Sequence, residues 1–136
     1  MITPYNYVAD KVKSMKEKYP ALRTRADDYV FSALCVKANF YKNPALVLNE
    51  TDFAEIIVDG QSDGGADILL SDPNSEESDL IIGQSKFYKT ITAKIVLDAL
   101  IKLASFYKDM KSGHYEQVNS RVQSRFITLN DKRSDE

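Results

Sequence analysis

The stretch "ADILLSDPNSEESDLIIGQSK", Ala66 to Lys86, decides how the chain folds. Its two ends are apolar and rich in isoleucine and leucine, so Ala66 to Leu70 and Leu80 to Phe87 read as strands. The middle, "SDPNSEES", is dense in turn-forming residues. Together they predict two antiparallel neighbours joined by a longish loop. On the second strand Gln84 and Lys86 lie two apart, and the period of two aims both side chains at one face, with Ser85 pointing away. Asp67 stands at the start of the first strand. If it faces the same side, a carboxylate, an amide oxygen and an ammonium converge across the pair.

Upstream, "VDGQSDGG" (Val58 to Gly65) carries the acids and glycines of a tight turn. Asp59, Asp63, Gly64 and Asp67 fit an EF-hand calcium loop in part, but the place of its bidentate glutamate is taken by Leu70, which excludes that reading. Gly64 and Gly65 allow close backbone approach to a ligand.

The flanks are helical in pattern. Tyr5, Val8, Val12 and Met15 share one face of a helix from Pro4 to Lys18, which Pro20 ends. Thr24 followed by Asp27 resembles a capping box for a second helix carrying Val30, Leu34 and Ala38, running to about Tyr41. "NPALVLNETDFAEIIVDG" predicts a helical turn, opened near Thr51, Asp52 and Glu55, that passes into extended chain. Ile91 to Lys111 is a long helix whose wide apolar face, Val96, Leu100, Leu103 and Tyr107 with Ile95, Ala99 and Ala104, calls for a sheet to pack on. It breaks at Ser112-Gly113. Tyr115 to Leu129 suits a further helix. Residues 1–130 are read as one domain, and 131–136 as a charged, solvated tail.

Composition bounds the function. The chain has 136 residues, 43% hydrophobic and 28% charged, the profile of a single soluble domain with a real core. No apolar run is long enough to span a bilayer and the N-terminal residues lack a secretory core, so no membrane role and a cytoplasmic location are expected. The lone Cys35 reads as a small buried hydrophobe, and the lone His114 as a surface residue; a single histidine excludes most zinc sites and triads. Every charged side chain from Glu50 to Asp79 is acidic, whereas lysines dominate from Lys86 to Lys111. That division suits a cation site beside a surface tolerant of phosphates. "KFYKT", Lys86 to Thr90, interleaves bases and aromatics, although Phe87 and Tyr88 are expected to pack under the helix.

The pair "DGGAD" and "IIGQSK" resembles the PD-(D/E)xK nuclease superfamily, in the branch where the motif reads G-x-D and then Q-x-K. It is most similar to the N-terminal domain of abortive-infection phage-resistance proteins. The resemblance covers about Asp27 to Lys111. It implies an α/β, restriction-endonuclease-like core, a small mixed sheet flanked by helices, and a divalent-metal-dependent nuclease acting on DNA in preference to RNA in phage defence. Asp67 would be the metal-binding aspartate, Gln84 the second ligand to Mg²⁺ or Mn²⁺, and Lys86 the catalytic lysine. Asp28, or as second choice Asp27, would add an acid from the preceding helix. Asp63, Lys89 and Lys94 are the candidate nucleic-acid contacts. Glutamine in place of the commoner glutamate removes one negative charge. The family's next strand has no counterpart beyond "RFITL", so a truncated core, or a homodimer that completes the sheet, is expected. The alternative is a nuclease-like module that binds nucleic acid or a protein without cutting.

Overall fold

The computed structural model describes residues 3–58, 66–88, 90–116 and 118–134, the side chains of 132–134 excepted. Among them lie five α-helices, one 3-10 turn and a two-stranded antiparallel sheet, a mixed α/β arrangement. In chain order these are α1 (Pro4–Lys18), the 3-10 turn (Pro20–Leu22), α2 (Asp27–Phe40), α3 (Glu50–Ile56), β1 (Ile68–Ser71), β2 (Leu80–Gly83), α4 (Ala93–Lys111) and α5 (Ser120–Ser134).

The hairpin forms as its sequence predicts. β1 and β2 pair antiparallel with Ile68 opposite Gly83 and Ser71 opposite Leu80. The second strand is shorter than expected, ending at Gly83, because the chain from Gln84 onward leaves β1 to follow α2. On its other edge β1 receives the segment after α3. Ile57 bridges Ile68, again antiparallel, and the Val58 N–H donates to the Asp67 carbonyl at 2.8 Å. β1 is thus the centre of a narrow sheet that is antiparallel among the described residues, where a mixed one was expected.

The pleat of β1 divides the interior. Ile68 and Leu70 join α1, α2 and α3 through Val12, Met15, Val30, Ala33, Val36 and Phe53. Leu69 turns the other way, to Phe106 and Met110 of α4 and Val122, Phe126 and Leu129 of α5. One short strand therefore serves two half-cores, and helices cover both of its faces.

Three local expectations need correction. Thr24 does not cap α2: its N-cap is Ala26, which has no side chain to accept a helix N–H, and Asp27 and Asp28 in the first turn favour that end by charge instead. α3 is opened by Asn49 and Asp52 in a reciprocal capping box, with Thr51 inside the helix. The face of α4 that packs is rotated from the expected one: Val96, Leu100, Ala104 and Tyr107 are exposed, and the covered stripe runs through Ile95, Ala99, Leu103, Phe106 and Met110. Phe106 and Met110 are buried, whereas Leu97, Leu100 and Ile101 are each more than half exposed. A sheet of two four-residue strands is too short to cover nineteen helical residues.

Other readings agree with the structure. α4 stops at Gly113, whose φ of 77° takes the left-handed conformation, with the His114 N–H returning to the Asp109 carbonyl at 2.8 Å. By contrast, "RFITL", the one candidate for a further strand, lies within α5, which starts at Ser120 and not Tyr115 and continues as helix to Ser134, into the expected tail. His114 is exposed and Cys35 is half-buried against the first half-core. No helix among the described residues is long and apolar enough to cross a membrane.

Candidate functional site

Where β2 ends, its chain runs along α2, and the predicted polar residues meet there. A cavity of about 170 Å³ is lined by Asp28, Asp67, Gln84, Ser85, Lys86, Phe87 and Tyr88. Asp67 lies one residue before β1, and its N–H donates to the Gly83 carbonyl at 2.8 Å, so pairing continues a step past the strand and sets Asp67 across from Gln84.

Ser85 departs from expectation. Beyond Gly83 the chain is no longer a strand, and the alternation that would have turned Ser85 away does not apply. Its N–H donates to Asp67 Oδ2 at 2.9 Å, while its hydroxyl meets that of Ser32 at 2.5 Å. Ser32 is fully buried on α2 and also reaches the Asp28 carbonyl at 3.3 Å. A hydroxyl has one proton. When Ser32 donates to the Asp28 carbonyl, Ser85 is the donor between the two serines.

Phe87 supplies the second anchor. It stacks between Tyr5 of α1 and Phe31 of α2, with ring centroids 5.1 Å away on each side. It therefore packs under the N-terminal helices and not under α4, and Tyr88 stays exposed. The Lys86 ammonium lies over the Tyr88 ring, 5.6 Å from its centroid. Between the Ser85 and Phe87 anchors, Lys86 has little backbone freedom.

The two candidate acids of α2 are separated by geometry. Asp28 lines the cavity, whereas Asp27 forms an ion pair with Lys16 at 2.6 Å on the outside of the helix. Lys94 is taken by Asp98 on its own helix at 2.9 Å and does not line the cavity. Asp63 and Lys89 lie outside the described residues. Sequence reasoning missed Ser32 and Ser85 as partners; the only local signal was a serine inside the apolar run of α2.

One atom in the site is unpaired. Gln84 Oε1 is buried and has no hydrogen-bond partner among the described residues. A buried acceptor left this way costs about 1–3 kcal/mol, so such atoms usually have a ligand, ion or water to meet. A neutral oxygen beside the carboxylates of Asp67 and Asp28 is a hard donor set of the type Mg²⁺ and Mn²⁺ accept, one or two carboxylates with the rest from water and substrate. The residues present fit such an ion. No family model matches the chain, and no curated protein or solved structure does.

Proposed function

We propose that the chain is a divalent-metal-dependent nuclease of the restriction-endonuclease-like kind, hydrolysing phosphodiester bonds in DNA in preference to RNA, with Asp67, Gln84 and Lys86 as its working residues. The observation that carries this reading is the orphaned Gln84 oxygen in a cavity shared with Asp67, Asp28 and Lys86. The hairpin, with an acid before its first strand and Gln-Ser-Lys after its second, supports the fold assignment.

Asp67 and Gln84 would hold the ion, with Asp28 completing the set. Bound there, Mg²⁺ or Mn²⁺ supplies Lewis acidity toward a phosphoryl oxygen. Lys86 brings a positive charge to the phosphate and stabilises the charge that develops on it as the bond breaks. The Ser85 N–H fixes one Asp67 oxygen, and the Ser32–Ser85 contact holds that arrangement against α2.

The test combines binding and cleavage. Lys86→Ala is expected to abolish Mn²⁺-dependent cleavage of DNA with the circular dichroism spectrum unchanged, and Asp67→Asn to abolish calorimetric Mn²⁺ binding. Undiminished cleavage by the Lys86→Ala protein sinks the mechanism. The neutral Gln84 favours a second reading, a nuclease-like module that binds without cutting. For that module Mn²⁺ binding need not depend on Asp67, so the same titration separates the two.

A further inference from the structure

On the side of α2 turned away from Asp28, a second cavity of about 390 Å³ opens between α1 and α2. One wall is Lys11, Ser14, Met15 and Lys18 of α1, a ridge at spacings of three and four; the other is Leu34, Lys37, Ala38 and Tyr41 along the end of α2, followed by Lys42. The floor is apolar, from Met15, Leu34 and Ala38. The rim carries four lysines.

None of these lysines has a carboxylate partner among the described residues, where the ion pairs are Lys16–Asp27 and Lys94–Asp98. Neither Asp10 nor Glu17, the acids of α1, lines the cavity. Lys18 and Lys37 lie instead against one ring, their ammonium groups 5.3 and 5.5 Å from the centroid of Tyr19. Four like charges along one rim repel one another, and a bound anion relieves that repulsion. At the far end, burial pushes the Tyr41 hydroxyl pKa up, with Asp52 and Asp72 adding to the rise and Arg125 opposing it.

Four ammonium groups beside an apolar floor and an aromatic ring are the parts of a single-strand binding groove, in which lysines meet phosphates and a base stacks on the ring. We propose that the cleft between α1 and α2 binds a single-stranded nucleic-acid segment, with phosphates on Lys11, Lys18, Lys37 and Lys42 and a base against Tyr41. Along α2 the groove is about 15 Å from Asp28 and on the opposite face. It is a site separate from the Asp67 cavity and does not rest on metal binding.

The experiment is fluorescence anisotropy with a labelled twelve-residue oligothymidylate and the full chain in chelator, where the metal site takes no part. Wild type is expected to bind, and Lys18→Gln with Lys37→Gln to lose about tenfold or more in affinity and to lower the slope of log K against log salt by about 1.4. Lys11→Gln with Lys42→Gln is expected to do the same, and Lys94→Gln, whose lysine is already paired, to bind as wild type. Unchanged affinity and slope in both double variants, with circular dichroism showing them folded, overturns the proposal. So does displacement of the oligonucleotide by thymidine monophosphate at equal concentration, or by poly-glutamate of matched charge. Loss of cleavage in Lys86→Ala with binding retained leaves the groove standing, so failure of either site is read separately.

Discussion

At the scale of single residues, Gln84 holds the sharpest contradiction in the molecule. A buried carbonyl oxygen without a partner among the described residues destabilises the fold, yet its side chain lines one cavity with Asp28, Asp67 and Lys86. Gln84→Met, close in size and without the polar atoms, is therefore expected to raise stability in chelator by about 1 kcal/mol while abolishing any Mn²⁺-dependent rise in melting temperature. Urea unfolding in chelator and thermal melts with added Mn²⁺ measure the two parts; a less stable apo variant would show that the oxygen already has a partner. Ser32 gives the complementary case. Ser32→Ala removes the contact to Ser85 at the base of the site and is expected to cost about 1–2 kcal/mol in urea unfolding. The acid, glutamine and lysine of the site were legible in the sequence because their types and spacing are local. Ser32 was not, since its partner lies fifty-three positions away.

At the scale of elements, α4 shows how periodicity overstates packing. Its apolar residues wind round more of the helix than the sheet covers, and only Phe106, Met110 and the half-buried Leu103 enter the second half-core. Leu100→Gln is accordingly expected to change stability by no more than about 0.5 kcal/mol, and Phe106→Ala to lower it by about 3–5 kcal/mol. Chemical denaturation of the two variants checks this, and equal losses would mean that the Leu100 face is covered. The helix also starts two residues later than the expected Ile91: the Thr92 hydroxyl accepts the Ile95 N–H at 3.3 Å and caps it.

At the scale of the whole molecule, α5 closes the fold across β1. The Arg121 guanidinium donates to the carbonyls of Ala54 and of Ile57, the latter at 2.7 Å, where α3 ends and the extended segment begins. Arg125 donates to the Leu69 carbonyl at 3.2 Å, and its burial pulls its pKa below the ordinary value, with Glu55 opposing that shift. These carbonyls belong to two different elements, so the two arginines hold the helix against both. Arg121→Met keeps much of the apolar stem and is expected to cost about 2 kcal/mol in urea unfolding. A neutral outcome would show that the buried Val122, Phe126 and Leu129 suffice to dock the helix.

The sequence by itself determined the hairpin, the helices and the presence of an acid and a Gln-Ser-Lys run one strand apart. Turn chemistry and periodicity act over a few residues and a single chain displays them, whereas the caps of α2 and α3 did not follow from them. Tertiary structure alone decided that Asp28 and not Asp27 enters the site, that Ser85 faces inward, that Phe87 packs on α1 and α2, and that half of α4 stays uncovered. Each depends on which distant segments meet and on how little sheet there is to share. The lysine groove belongs to the same class: its two ridges are ordinary solvated helix faces until α1 and α2 lie side by side.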